Sequence, residues 1–158
     1  MRTLTVAAFV ILLSSCESKP AEAPKPVETA KPVEALPPAD ESRRFPKPNL
    51  AGTIVVEKQL LGKPFMPGGT QAHYKKGKTE YDMFLAKTAS ANDAALMLPD
   101  WRGALTDAKL IPSFGGYFGN DAGRPVFVFA KGAWIAGVAG LNQKEADAAA
   151  RKLAAALE

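Results

Sequence analysis

Cysteine and histidine are nearly absent from this chain of 158 residues, which contains one of each. A single cysteine excludes a disulfide within the chain, and it also excludes the paired cysteines of haem-attachment and zinc motifs. The sequence contains no glycine-rich phosphate-binding loop. These absences exclude the commonest cofactor sites that a sequence motif can encode, and we predict that the protein has no cofactor.

The single histidine, His73, leaves two alternatives open. With Met66 and Met83 it could form a soft copper site, since thioether and imidazole ligands suit Cu(I). With a serine and an aspartate it could form a hydrolytic triad, although no serine lies in a nucleophile-elbow sequence. An isolated histidine in a strand is more often an ordinary residue, so we predict no metal site, no catalytic residues and a protein that is not an enzyme.

Long hydrophobic runs are missing as well. The apolar stretch at residues 6 to 13 is too short to span a membrane, which needs about 20 residues. Arg2 precedes this stretch, and two small residues separate it from the cysteine. The run Leu13-Ser14-Ser15-Cys16 resembles the lipobox of bacterial lipoprotein precursors.

The lipobox resemblance implies that residues 1 to 15 are a lipoprotein signal peptide. Cys16 would then carry a diacylglycerol thioether and an amide-linked acyl chain such as palmitate, and two or three acyl chains anchor a protein stably to a membrane. Glu17 follows, whereas an aspartate there is the better-known signal for inner-membrane retention. We therefore predict the outer membrane, facing the periplasm, with the inner membrane as the alternative. The main rival, a plain secretory signal, would leave Cys16 as a free thiol in an oxidising compartment.

Aromatic residues are almost absent between residues 19 and 48, where eight of the thirteen prolines fall. This composition cannot bury a core, and proline favours the extended polyproline II conformation. We interpret residues 16 to 48 as the lipidated cysteine and a disordered linker. At about 3.1 Å per residue, some thirty residues would reach on the order of 90 Å when fully extended. A docking motif for a partner or for the cell wall is the alternative.

Residues 49 to 158 have the size of one globular domain with one hydrophobic core. This part contains thirteen lysine and arginine residues against ten aspartate and glutamate residues, so its net charge is only slightly positive. The sequence pI of 9.2 therefore does not indicate a nucleic-acid partner.

The same part contains segments typical of strands at residues 53–60, 71–75, 78–87, 126–130 and 133–139. Ser90 and Asn142 are predicted N-caps of two helices. We interpret residues 115 to 121 as a glycine-punctuated loop or an edge strand. The strand at residues 126 to 130 is apolar on both faces, so both sides of the sheet should be covered there. The pattern predicts the α+β class, with a compact antiparallel sheet of about five or six strands and two main helices packed on it.

Four motifs carry a resemblance for this domain. They are Tyr81-Asp82-Met83, Asn92-Asp93-Ala94, Gly115-Gly116-Tyr117-Phe118 and Lys131-Gly132-Ala133-Trp134-Ile135. The domain resembles uncharacterised bacterial envelope domains of unknown function. The resemblance implies a compact antiparallel sheet with helices against it, and it implies no catalytic residue.

Two classes of function are consistent with these features. The first is a non-enzymatic adaptor that binds another envelope protein through the sheet face bearing Phe127, Phe129 or Trp134, if the helices cover only the opposite side. The second binds a small apolar ligand in a pocket between the sheet and the helices. That pocket would be lined by Trp101, Tyr117, Phe118 and Trp134. A hydrolase is the remote alternative.

Overall fold

The computed structural model of the protein describes residues 38 to 157. The predicted signal peptide, Cys16 and most of the predicted linker lie outside these residues. The described chain forms one antiparallel sheet of seven strands with two α-helices, so the α+β class is confirmed and the sheet is larger than the five or six strands predicted. The elements are β1 (Leu50–Lys58), β2 (Pro67–Lys76), β3 (Thr79–Lys87), α1 (Ala91–Ala104), β4 (Thr106–Ile111), β5 (Gly116–Asp121), β6 (Arg124–Lys131), β7 (Trp134–Ala139) and α2 (Gln143–Ala154).

The strands are arranged in the order β1-β2-β3-β7-β6-β5-β4. The predicted hairpins are β2–β3 and β6–β7, and the turn residues Gly77 and Gly132 have positive φ angles of 62° and 53°. Glycine adopts this left-handed conformation without a steric penalty. The two hairpins meet where β3 pairs with β7, so the centre of the sheet joins the two halves of the domain.

Both helices begin at the predicted N-caps. The Ser90 side chain accepts a hydrogen bond from the Asp93 backbone N–H at 3.1 Å. The Asn142 side chain accepts one from the Glu145 backbone N–H, also at 3.1 Å. Each cap satisfies a donor that has no partner inside the helix. α1 continues as one helix through Pro99.

The helices lie on opposite faces of the sheet, which we call the α1 face and the α2 face. Successive residues of β6 alternate between them: Val126 and Val128 pack with the α1 cluster, and Phe127 and Phe129 pack with the α2 cluster. The prediction that both faces are covered here is therefore confirmed. The residues that α2 buries are mostly alanines: Ala146, Ala149, Ala150 and Leu153.

The strand missed by the sequence analysis is β4, at one edge of the sheet. It has six residues, mostly exposed, and its pairing with β5 shifts register between Thr106 and Lys109. A short, bulged, solvated strand has no regular alternation of apolar and polar residues, so no period-two signal predicts it. β4 occupies the edge, so β5 is an interior strand and not the predicted loop or edge.

The folded domain starts earlier than the predicted boundary at residue 49. Phe45 is buried, and the Arg44 side chain donates a hydrogen bond to the Ala156 carbonyl oxygen at 2.9 Å. The Glu41 backbone N–H donates to the Thr70 hydroxyl at 3.1 Å. The linker boundary at residue 48 was therefore placed too late. Phe45 is a single aromatic residue among prolines and charged residues, so no periodic apolar pattern predicts its burial. That burial depends on contacts with residues far along the chain.

A stack of aromatic rings holds α1 on the sheet. The Phe84 ring lies over Gly137 on the neighbouring strand, and the Trp101 ring lies 5.8 Å from Phe84, centroid to centroid. Phe65 packs edge-on against Trp101 at 5.5 Å. A Cβ atom at Gly137 would overlap the Phe84 ring and the Phe127 carbonyl oxygen. The stack therefore requires glycine at position 137.

We expect Gly137→Ala to lower the free energy of unfolding by about 1–3 kcal/mol, because the added methyl group overpacks the core. Urea denaturation monitored by tryptophan fluorescence measures the change. Gly103→Ala is the matched control, since a Cβ there meets no atom within 4 Å. In a helix, this exchange leaves stability unchanged or raises it by up to about 1 kcal/mol. Equal stability of the two variants would contradict this account of the stack.

Candidate functional site

The predicted adaptor surface does not exist as an exposed face. Phe127, Phe129 and Trp134 lie on the α2 face and are 2%, 1% and 6% exposed. Trp134 is also covered by the Arg44 guanidinium, which lies 4.7 Å from the ring centroid. That surface prediction is wrong because it required the helices to cover only one side of the sheet, whereas they cover both.

The predicted pocket does not form either. Trp101 and Tyr117 belong to the cluster on the α1 face, whereas Phe118 and Trp134 belong to the cluster on the α2 face. The sheet therefore separates the two pairs. Trp101 is fully buried, and its indole N–H donates a hydrogen bond to the Met66 sulfur at 3.2 Å. These four side chains cannot line one cavity.

Phe127 and Phe129 nevertheless form the floor of two open recesses beside α2. The first recess, of about 360 Å³, is lined by Ile111, Phe127, Gln143, Lys144 and Asp147. The second, of about 570 Å³, is lined by Ser113, Phe114, Phe129, Ala130, Lys131, Arg151, Ala154 and Ala155. Both lie between α2 and the β4–β5 connection. We call the two recesses together the α2 channel.

Phe114 and Arg151 divide the α2 channel. The Phe114 ring packs on Phe127 and Phe129, with centroid distances of 5.1 and 4.9 Å. The Arg151 guanidinium lies 5.2 Å from the Phe114 centroid and is hydrogen-bonded to Asp147 at 2.8 Å. That carboxylate raises the pKa of Arg151 above its ordinary value through a hydrogen bond and charge attraction, and the guanidinium, which is always charged in proteins, places a cation beside the ring.

The channel combines an aromatic floor with a rim of both charge signs. α2 brings Lys144, Asp147 and Arg151 to the rim, because residues three and four apart lie on one side of a helix. The i,i+4 spacing of Asp147 and Arg151 is typical of an ion pair on a helix surface, but it does not indicate the wall of a recess. Ile111 and Phe114 were not among the predicted site residues, and the one available signal was an aromatic residue directly before the turn glycine Gly115.

A third recess, of about 320 Å³, lies beside α2 and is lined partly by Pro46, Tyr74 and Tyr81. The Tyr74 hydroxyl donates to the Pro46 carbonyl oxygen at 2.8 Å, and the two tyrosine rings stack at 4.9 Å. Burial raises the pKa of Tyr74 well above its ordinary value of 10.0. One wall of this third recess is the segment that continues toward the linker, whereas the α2 channel lies between α2 and the β4–β5 connection. We therefore take the α2 channel, and not the third recess, as the candidate site.

His73 lies in a row of charged groups on β2, β3 and β6. Its Nδ1 atom is 2.8 Å from Asp82 Oδ1, and Arg124 donates to Asp82 Oδ2 at 2.6 Å. Within residues 38 to 157, the contacts of His73 include no serine, threonine or cysteine hydroxyl or thiol that could act as a nucleophile.

The copper alternative required His73, Met66 and Met83 to converge. The structure buries Met66 on the α1 face and Met83 on the α2 face, so the sheet separates the two sulfur atoms. Within the described residues no group of three or more histidine, cysteine, aspartate or glutamate side chains could hold a metal ion.

No protein-family model, curated protein or solved structure matches this chain. The resemblance to bacterial envelope domains therefore stays a prediction. Among the described residues, neither α-helix has the length and apolar character needed to cross a membrane.

We expect Tyr74→Phe to cost about 1 kcal/mol of unfolding free energy at pH 7, because it leaves the Pro46 carbonyl without its donor. Tyr81→Phe is the control, since it keeps the Tyr74–Pro46 hydrogen bond. Urea denaturation measures the loss, and hydrogen exchange shows whether residues 41 to 49 become less protected. Wild-type protection of this segment in the Tyr74→Phe variant would contradict the role of the bond.

The same tyrosine predicts a loss of stability in alkali. The folded phenol has the higher pKa, so its contribution is complete below pH 10 and decreases as the pH rises toward the folded value. Wild-type stability should therefore fall more steeply above pH 10 than that of Tyr74→Phe. Parallel curves for the two proteins would refute this assignment.

Proposed function

We propose that this protein is a lipid-anchored lipoprotein of the bacterial envelope whose domain is a non-enzymatic binding module. The anchor is supported by the Leu13–Cys16 pattern behind a short apolar stretch, and the proline-rich segment that follows supplies a spacer. The lipid on Cys16 makes the membrane the first partner. The proposed location is the outer membrane facing the periplasm, with the inner membrane as the alternative.

The α2 channel is the observation that carries the binding role. It is open to solvent along one side of α2, the half-buried Ile111 and Phe114 supply apolar surface beside the buried Phe127 and Phe129, and its rim carries Lys144, Asp147 and Arg151. An apolar core within a polar rim is the usual composition of a protein interface. We propose that the channel binds a polypeptide segment of another envelope protein that inserts apolar side chains, as amphipathic segments do in grooves.

A small apolar ligand is the second candidate occupant. The volume of the first recess, about 360 Å³, lies in the range of ligand pockets, and Ile111 and Phe127 supply apolar surface there. A hydrolase remains the remote alternative. His73 and Asp82 could form a base and its orienting carboxylate, but a nucleophilic catalyst needs a hydroxyl or thiol within hydrogen-bond reach of the base.

We expect Cys16→Ser to abolish lipidation, because serine cannot form the thioether. Metabolic labelling with a palmitate analogue should lose its signal, and the protein should leave the membrane fraction. Ser15→Ala is the matched control, since it keeps the thiol and a small residue before it. Undiminished labelling of Cys16→Ser would refute the anchor.

We expect a photo-crosslinking residue at Gln143, on the rim of the first recess, to capture a defined envelope protein in intact cells. The same residue at Arg102, which is exposed on α1 on the other face, is the matched control. Capture should be lost when Ile111→Asp places a charge in the floor, because burying an unpaired charge is unfavourable.

Circular dichroism establishes that the Ile111→Asp variant is folded. Capture that persists in the folded variant, or equal capture from Arg102, would contradict binding in the channel. Absence of a crosslinked protein, together with a reproducible small-mass adduct on the purified chain in native mass spectrometry, would favour the small-ligand candidate.

A further inference from the structure

β1 forms one edge of the sheet and leaves an unusual amount of apolar surface open. The strand has nine residues. Its pairing with β2 shifts register between Leu50 and Gly52 and is regular from Gly52 to Lys58. Ile54 is 60% exposed and Val55 is 42% exposed. These neighbours point to opposite faces of the sheet, so the edge is apolar on both sides, and within residues 38 to 157 no strand pairs with its outer backbone groups. Proteins usually protect such edges from pairing with another strand.

The other edge, β4, shows what that protection looks like in the same molecule. Its six residues include a register shift, and Asp107 has a left-handed φ of 53°. Asp107 and Lys109 also place charges on the strand. Bulges, short length and charges are the usual devices against edge pairing. In β1 a register shift lies at the N-terminal end, between Leu50 and Gly52, and the charges of Glu57 and Lys58 lie at the C-terminal end, so the apolar centre of the strand has neither.

We propose that β1 pairs antiparallel with β1 of a second copy of this chain, across a two-fold axis at Ile54. The sheets of the two copies would become continuous. This register places Ile54 opposite Ile54 of the second copy and Val55 opposite Thr53, and β-branched residues pair favourably across strands.

The charges of β1 are compatible with this arrangement. In the same register Glu57 and Lys58 lie opposite the irregular, uncharged stretch of residues 50 to 52 of the second copy, so no like charges meet across the pair. An interface with two-fold symmetry must be complementary to itself, and this strand fulfils that condition.

The chain's own N-terminal segment is a poor alternative occupant of the edge. Prolines recur at positions 20, 24, 26, 32, 37 and 38, and each one lacks the N–H needed for a ladder hydrogen bond. A strand from another protein could pair with the β1 edge without two-fold symmetry. The crosslinking experiment below distinguishes that outcome from pairing between two copies.

The two-fold axis is also compatible with one membrane. An axis perpendicular to the sheet keeps both α2 faces on the same side, and the segment around Phe45 packs on that face. Residues 38 to 49 of both copies would therefore lie on the same side of the joined sheet. This compatibility rests on the proposed lipid anchor, whereas the pairing itself does not.

The test uses two differently tagged copies of the whole chain, expressed together. A photo-crosslinking residue at Val55 should join the two tags. The same residue at Leu96 on α1, or at Leu110 on β4, should not, although these side chains are 61% and 56% exposed. Crosslinking from Val55 to a different protein, or equal self-crosslinking from Leu96, would overturn the proposal.

A charge exchange tests the symmetry directly, with the crosslinker at Val55 throughout. When both copies carry Ile54→Lys, two lysines face each other and the crosslinked dimer should be lost. Mixing an Ile54→Lys copy with an Ile54→Glu copy should restore it, because the facing charges are then opposite. Leu96→Lys in both copies is the control and should have no effect. Failure of the mixed pair to restore the dimer, with both variants folded by circular dichroism, would refute this register.

Repeating the Val55 experiment in the Cys16→Ser chain separates the two proposals. Self-crosslinking that persists without the lipid supports β1 pairing even if the anchor is absent. If labelling shows that Cys16 is lipidated but Val55 does not join the tags, the anchor stands and the pairing is refuted.

Discussion

The need to cover both faces of the β6–β7 hairpin is the constraint on which the rest of this domain depends. Val126 to Phe129 alternate between two apolar clusters, so neither side of the strand can remain in contact with water without a large loss of hydrophobic stabilisation. α1 covers one side and α2 covers the other. The remaining strands, the N-terminal segment and the open recesses are arranged around these two helices.

The two helices meet the sheet in different ways. On the α1 face, large rings fill the space, and the absence of a side chain at Gly137 gives Phe84 the room to stack with Trp101. On the α2 face, the helix contributes mostly alanines, so its contact is narrow. A single narrow helix does not cover the whole width of a seven-stranded sheet. The N-terminal segment covers part of the remaining surface, and the α2 channel is the part beside β4 and β5 that stays open.

The surfaces proposed for binding differ in physical character. The α2 channel presents the half-buried side chains of Ile111 and Phe114 in an open recess, which favours an inserted apolar group. The β1 edge presents backbone donors and acceptors flanked by aliphatic side chains, which favours another strand. The channel lies between α2 and the β4–β5 connection, whereas β1 is at the far edge of the sheet, so both surfaces could be occupied at once. With the proposed lipid anchor, these two proposed surfaces would suit the domain to holding another protein and a second copy of itself at a membrane.

The features determined by the sequence itself are those that depend on residues a few positions apart. The caps at Ser90 and Asn142 each act within three residues, and turn glycines act on their own backbone. Because β6 is apolar on both faces, its sequence also required that other elements pack on each side of the sheet, whatever the order of the strands. The tertiary structure alone decided where each aromatic residue is buried and what covers it. It placed Phe127 under Phe114, buried Phe45 and put β4 at the edge. These outcomes depend on contacts between distant positions, such as Arg44 with Ala156, and no local pattern encodes which distant segments meet.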